Sequence, residues 1–434
     1  MKISSSSFLR AVLVPIARFT VARYHPRIIG VTGSVGKTST KQALLAVLAK
    51  SHRVRAASGN LNNELGLSLA VLGDWSPEEL RLVSRDQPAH TARFRKAMFW
   101  LKAVCVGVGH LIVRDGRYPE ILILEYGADR PGDILRLMRV ARPDVAVVTA
   151  VGDVPAHVEF YSGPKAVARE KGRLIERLSS SNTAVLNHDD ELVDALRDRT
   201  RGRVMTYGFN DGADLRIARL EYHAVEGIPA GISFKLEYEG SSVPVRLEGV
   251  FGRAAAYAAA AASCVGLIFG MNLVTISEAF ADYLPPPSRM ELLPGMKHTL
   301  LIDDTYNASP LSMRAALDTL KELPAERKIA VLGDMLEIGK YAIEAHESIG
   351  DEVSRAADVL VTVGERAKFI ASTARDAGMP KENIFSFDTA EEAVAPLERM
   401  MRKGDLVLLK GSHAMNLGEV VRAITAEPTA TGEA

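Results

Sequence analysis

Gly33-Ser34-Val35-Gly36-Lys37-Thr38-Ser39 is a set of residues that can hold phosphate. Glycines let backbone N–H groups close on phosphate oxygens, a lysine neutralises the terminal phosphates, and the hydroxyl after it can hold Mg2+. Apolar Ile28-Ile29 before the loop and the helix-prone run 41–50 after it give the strand, loop and helix order that such a loop requires. Val31 stands where the longer form of the pattern has its first glycine, so this is the shorter G-x-x-G-K-T form. The loop implies a bound nucleoside triphosphate, with Gly33, Ser34, Val35, Gly36, Lys37, Thr38 and Ser39 as its contacts.

Further polar segments follow strand-like runs. Asn60-Leu61-Asn62-Asn63 carries three amides that can donate and accept around phosphate and substrate carboxylates, or else form an Asn-rich turn. Glu125 closes the apolar run 121–124, a place where a nucleotide enzyme puts a Mg2+ ligand, although a helix-capping acid, here or at Asp129, is the plainer reading. His157 follows the run 145–149 and suits a second metal, a phosphate contact or a structural role. The charged stretch Lys165–Leu174 reads as a solvated helix face, and its spacing singles out no lysine.

The elements that position these residues are those of an α/β protein. With 434 residues, 47% of them hydrophobic, the chain has the material for two or three domains with ample core. Lys+Arg and Asp+Glu both number 53, so no global basic field argues for nucleic acid. Continuous apolar runs at 121–124, 145–148, 183–186, 329–332, 359–363 and 406–409 alternate with helical sequence, which predicts parallel sheets covered on both faces. Between Met205 and Leu247 the texture alternates and predicts a small antiparallel sheet; Ala254–Ala262 then forms a tightly packing helix. Pro285-Pro286-Pro287 marks a boundary. The expected organisation is an N-terminal cationic helix (1–26), a central unit (27–287) with an insertion at about 74–119, a second α/β unit (288–425) and a frayed tail (426–434).

Cys105 and Cys264 both lie in apolar runs without metal-ligand spacing, which predicts buried, reduced thiols and a cytoplasmic setting. Phe8–Tyr24 contains Pro15, Arg10, Arg18 and Arg23, while Ala97–Val113 contains Lys102 and His110, so neither gives the ~20 uninterrupted apolar residues of a membrane span. The first also lacks the small-residue cleavage pattern of a signal peptide. It suits either the inner membrane surface, as a cationic amphipathic helix, or packing on the domain, and both readings stay open.

Three segments of the second unit narrow the chemistry. Asp304-Thr305-Tyr306-Asn307-Ala308-Ser309-Pro310-Leu311-Ser312-Met313, then Val331–Gly339 with His346 beyond it, then Leu409-Lys410-Gly411-Ser412, together with the loops above and in the same order, resemble the Mur ligases. The closer likeness is to their D-alanyl-D-alanine-adding branch, and it runs from about Arg27 to Arg422. The resemblance implies a central ATPase-type domain, a C-terminal Rossmann-like domain and a cytoplasmic enzyme of peptidoglycan precursor synthesis. In that chemistry ATP phosphorylates a substrate carboxylate to an acyl phosphate, an amine attacks the carbonyl carbon, and phosphate leaves as the amide bond forms.

The same resemblance implies site roles. Lys37, Lys171 and His157 would be catalytic, with Thr38 and Glu125 holding one Mg2+ and His157 helping to hold a second. Lys171 matches the lysine that the family carbamylates with CO2, which turns a cation into a carboxylate-like metal ligand. Asn187, Arg289, Asp304 and Asn307 fall on the nucleotide, and Asn62, Asn63, Tyr306, Ser412 and His413 on the substrates. Those substrates would be a muramoyl-peptide carboxylate and D-alanyl-D-alanine, and the enzyme a monomer with no nucleic-acid partner.

The sequence also departs from the family pattern. That branch carries an N-terminal domain for the uridine diphosphate end of its substrate; fewer than thirty residues precede the loop strand here, so no such domain is expected. The insertion at 74–119 mixes Phe94, Phe99 and Trp100 with Arg93, Arg95, Lys96 and Lys102, which suits a pyrophosphate-sugar, an anionic membrane surface or a core-packing hairpin. An alanine run replaces the family's His and Asn after Arg253, Arg173 stands where an acid is common, and His413 replaces an arginine. Two other functions therefore stay open: a ligase for a different amino acid or peptide, and a non-catalytic ATP-binding protein that assembles on membranes.

Overall fold

The computed structural model describes residues 5–57, 59–83 and 93–426. Fifteen described strands form two sheets. The first contains β1 (Arg27–Thr32), β2 (Val54–Ala56), β3 (Ile121–Glu125), β4 (Val145–Val148), β5 (Thr183–Asn187), β6 (Arg203–Gly208), β7 (Leu215–Val225), β8 (Ile228–Tyr238) and β9 (Ser241–Glu248), in the order β2-β3-β1-β4-β5-β6-β7-β8-β9. From β2 to β7 every pairing is parallel, and β7-β8-β9 is an antiparallel meander. The antiparallel region expected from the sequence forms, and it continues the parallel sheet through the β6–β7 pairing.

Side-chain alternation sorts the central strands into two cores. Ile28, Leu122, Leu124, Ala146 and Val148 face one layer, built from α1 (Ser5–Tyr24), α3 (Glu64–Leu72), α5 (Arg93–Ile112), α6 (Asp133–Leu137) and α7 (Pro164–Glu176). Ile29, Val31, Ile123, Val145 and Val147 face the other, built from α2 (Lys37–Leu48), α9 (Arg253–Ile268) and α10 (Leu273–Ala279). The short helices α4 (Pro77–Arg81) and α8 (Glu191–Asp194) complete this part. The alanine run lets α9 lie close to α2, with Ala256, Ala259 and Ala260 fully buried.

The second sheet contains β10 (Glu291–Gly295), β11 (Thr299–Asp304), β12 (Arg327–Gly333), β13 (Val359–Val363), β14 (Ile384–Phe387) and β15 (Asp405–Lys410), in the order β10-β11-β15-β12-β13-β14. Only β10 is antiparallel. Helices α11 (Pro310–Glu322), α12 (Ala342–Ala356) and α13 (Ala367–Asp376) cover one face, and α14 (Ala390–Met400) and α15 (Leu417–Ile424) the other. Pro285-Pro286-Pro287 lies in the irregular stretch between the sheets.

The helix expected near the N-terminus is α1, and it packs against α3 and α5. Gly107 is what lets α5 approach: a Cβ there would lie 2.5 Å from Ile16. Cys264 is buried as expected, but Cys105 is exposed, which corrects the expectation for that thiol. Its run is apolar on both sides of α5, so apolar surroundings in sequence did not mean burial. Among the described residues no helix is long and apolar enough to cross a membrane. Residues 427–434 of the expected tail, and 84–92 of the insertion, lie outside the described residues.

Candidate active site

A cleft of about 1310 Å3 opens between the two units, lined by the phosphate loop, the ends of β3, β4 and β5, the start of α9, and, from the second unit, Arg289, Asp304, Tyr306, Asn307, one side of α11 and Lys410. The parallel strands place their C-terminal ends there, where loops can converge on a ligand.

The loop is already shaped for phosphate. Gly33 has φ +150° and Gly36 φ +88°, and a Cβ on Gly33 would lie 1.9 Å from the Thr149 hydroxyl. Thr149 in turn holds the loop, its Oγ1 lying 2.6 Å from the Val35 carbonyl oxygen, while Ser34 N–H donates to Ala150 O at 2.6 Å. Lys37 Nζ donates to the loop's own Gly33 O at 2.8 Å, and the buried Ser34 hydroxyl has no partner. A buried hydroxyl without a partner, a lysine curled over the loop and backbone that only glycine tolerates fit a nucleotide's phosphates.

Behind the loop, Glu125 is buried, with Oε2 3.4 Å from Thr38 Oγ1 and 3.4 Å from Lys41 Nζ. Two hard oxygens beside a phosphate site suit Mg2+, which keeps most of its waters and takes one or two protein groups. Lys41 also donates to Gly59 O at 2.8 Å, and burial lowers its pKa against the pull of Glu125. It lies one helical turn beyond Lys37, a spacing that could have drawn attention to it.

Lys171 is 2% exposed and lines the cleft. Burial, and then the positive charge of Lys37, bring its pKa down to about 7, against the attraction of Asp129 and Glu170. Its neighbours on α7 explain the burial: Val167, Ala168, Leu174 and Ile175 are three or four residues away and all buried. Arg173 pairs with Glu170 at 3.1 Å. His157 has φ +64° and bridges the units, with Nδ1 2.8 Å from Glu337 Oε2 and Nε2 3.5 Å from Asp129 Oδ1. Among the described residues no group of three or more His, Cys, Asp or Glu side chains is placed to hold a metal ion by itself.

The second unit reaches the loop through Arg289. Its Nη2 donates to Thr38 Oγ1 at 3.1 Å, and its guanidinium lies 3.7 Å above the Tyr306 ring. Asp304 ion-pairs with buried Lys410 and accepts from Met290 N–H at 3.2 Å; burial raises its pKa, and Lys410 opposes that. Lys410 also donates to Asn307 O at 3.0 Å, so it organises two of the four residues expected on the nucleotide. Asn187 lines the cleft beside Tyr257, whose hydroxyl donates to Asp189 at 2.7 Å, and Arg253 lies 3.9 Å over Phe209.

The substrate set is less gathered. Asn62 lines the cleft, whereas Asn63 Oδ1 caps α3 by accepting from Gly66 N–H at 3.0 Å. Tyr306 lines the cleft, but Ser412 accepts from Leu336 N–H at 2.9 Å, and His413 lies on the surface, 6.0 Å from the Tyr306 ring.

The fold and cleft define a nucleotide-binding α/β protein whose phosphate loop faces a second Rossmann-like unit. The family profile described as Mur ligase middle domain matches residues 107–266, and the one described as Mur ligase, glutamate ligase domain, matches 288–413. The chain is 31% identical over 428 residues to the UDP-N-acetylmuramoyl-tripeptide–D-alanyl-D-alanine ligase of Mycobacterium tuberculosis, covering 93% of this chain and 73% of that protein. It is 28% identical to the Bacillus subtilis ligase of the same name, covering 96% of this chain and 79% of that one. The crystal structure of MurF ligase from Thermotoga maritima in complex with ADP superposes with a TM-score of 0.76 at 27% identity, over 98% of this chain and 84% of that chain. The chain belongs to the Mur ligase family.

Proposed function

We propose that the protein is an ATP-dependent carboxylate–amine ligase that adds D-alanyl-D-alanine to a muramoyl peptide in peptidoglycan precursor synthesis. The observation that carries this is the convergence on one cleft of the phosphate loop, Lys171 and Arg289, from both units. The relatives named above supply the choice of substrates.

Lys37 and the loop amides bind and neutralise the terminal phosphates. Thr38 and Glu125 would hold one Mg2+, and His157 with a carbamate on Lys171 would hold the second. Bound Mg2+–ATP supplies the phosphoryl group that activates the acceptor carboxylate. Lys171 can take up CO2 because a lysine with a pKa of about 7 is substantially the neutral amine at neutral pH, and the carbamate nitrogen releases its proton to solvent. Asp304, Asn307 and Asn187 position the nucleotide, while Asn62 and Tyr306 face the reacting groups. The units 27–287 and 288–425 close on one another to exclude water from the acyl phosphate. The enzyme acts as a cytoplasmic monomer in peripheral contact with the inner membrane surface.

Purified protein incubated with ATP, Mg2+, D-alanyl-D-alanine and muramoyl-tripeptide should release phosphate and yield a product heavier by the added dipeptide less water. ATP turnover that requires a different amine would move the substrate assignment and keep the chemistry. No turnover with any carboxylate and amine pair would overturn the ligase reading.

A further inference from the structure

One surface has no part in the cleft. Helix α5 exposes Phe94, Met98, Leu101, Cys105, Val108 and Ile112, spaced four and three residues apart, which puts all six on one face. Phe94 is 78% exposed, Leu101 57% and Ile112 73%. The opposite face is the packed one: Phe99 meets Trp75 with ring centroids 5.2 Å apart, and Gly107 lies against Ile16 and Leu72. Alongside, α1 exposes Phe8 and Phe19, 62% and 64%, with Pro15 between them. Soluble proteins scatter such residues singly; a continuous stripe marks an interaction surface.

Charge decides which kind. Helix α1 carries three arginines and α5 four Lys or Arg, and neither contains an Asp or Glu. Arg10 pairs with Glu64 and Lys102 with Glu79, but Arg18, Arg95 and Lys96 have no ion-pair partner among the described residues. A second copy laid on this face would bring like charges together, and paired helices want opposite charges beside the seam. An apolar stripe flanked by cations complements a bilayer of anionic lipids, with the rings and aliphatic chains at the acyl boundary and the cations among the headgroups.

We infer that the α1–α5 face docks the protein on an anionic membrane surface. This rests on the peripheral-contact part of the functional reading and not on its chemistry. The docked helices lie flat, since neither spans a bilayer. The face is coupled to the cleft: Arg10 of α1 pairs at 3.6 Å with Glu64, the first residue of α3, and α3 begins directly after the Asn60–Asn63 loop, from which Asn60 and Asn62 line the cleft. Docking therefore sets that wall of the cleft near the bilayer.

Cys105 provides the probe, because it lies in the stripe, while Cys264 is buried and its thiol pKa is raised by that burial. A polarity-sensitive fluorophore on Cys105 should shift to the blue with vesicles of phosphatidylcholine and phosphatidylglycerol, and the shift should reverse in high salt. Unlabelled protein should sediment with the same vesicles. Leu101→Ser with Ile112→Ser should weaken sedimentation about tenfold, and Arg18→Glu or Lys96→Glu about fivefold or more each, with ATP turnover unchanged. Three results would overturn the inference: no sedimentation, equal binding to phosphatidylcholine alone, or a lipid-free dimer dissolved by the same serine substitutions. Sedimentation without ligation would instead sink the chemistry and leave the docking intact.

Discussion

Lys171 shows how a single residue can be read twice. Its charged neighbours made Lys165–Leu174 look like a solvated face, yet Val167, Ala168, Leu174 and Ile175 form a buried stripe that contains it. A lysine in register with an apolar stripe is a signal in the sequence itself, and only the family resemblance drew it out. Its pKa of about 7 against the ordinary 10.5 means that the unfolded chain binds the extra proton between those values. This group's contribution to stability therefore rises as pH climbs from about 7 toward 10.5. Lys171→Met should end ligation and yet raise stability at neutral pH by about 1–3 kcal/mol, because an apolar chain removes the cost of stripping a proton from the buried lysine on folding. Calorimetry checks the second part. Carbon NMR in labelled bicarbonate should show a carbamate resonance in the wild type that is absent from the variant; a resonance retained in Lys171→Met would assign it to another amine. Cys105 departs from expectation for the opposite reason: α5 is apolar on both faces, so periodicity does not say which one is buried.

At the scale of elements, the strands were legible because continuous apolar runs between helices have few alternatives. The alternation from Met205 onward identified the antiparallel meander, although not that β6 joins it to the parallel sheet, since strand order depends on contacts far apart in sequence. The second unit's signature segments were visible, but several of their residues prove to hold the element ends. His346 on α12 is fully buried; its Nε2 accepts from Met335 N–H at 2.9 Å, and its Nδ1 faces Ala342 O at 2.6 Å. That pairing requires the neutral ring, and burial lowers its pKa below the ordinary 6.5. The unfolded chain then binds a proton that the folded one refuses, so stability falls as pH drops below about 6.5. Thermal unfolding followed across this range should show the fall in the wild type. His346→Leu should lose that part of the pH dependence and cost about 1–3 kcal/mol at neutral pH, because Met335 N–H is left without its acceptor. An unchanged pH profile in the variant would assign the dependence to other groups.

In the whole molecule, the site belongs to neither unit alone. Arg289, two residues beyond the proline boundary, reaches Thr38 of the phosphate loop, and His157 of the first unit meets Glu337 of the second. The family resemblance put Arg289 and Thr38 on one nucleotide, but no local pattern carried their contact, because the two are separated by 251 positions. Arg289 does two things at once: it donates to the hydroxyl expected to hold Mg2+, and it stacks on Tyr306, which lines the cleft. A planar guanidinium can do both, whereas an ammonium can do only the first. Arg289→Ala and Arg289→Lys should therefore both raise KM for ATP, by about tenfold or more, and the lysine should restore little of the loss. Melting temperatures should move only slightly, since the Arg289 side chain lines the cleft and belongs to no apolar core. Titration with ADP separates the two contributions. If lysine recovers wild-type affinity, the charge alone suffices; if it does not, the stacked pair Arg289–Tyr306 is what lets the second unit register the nucleotide held by the first.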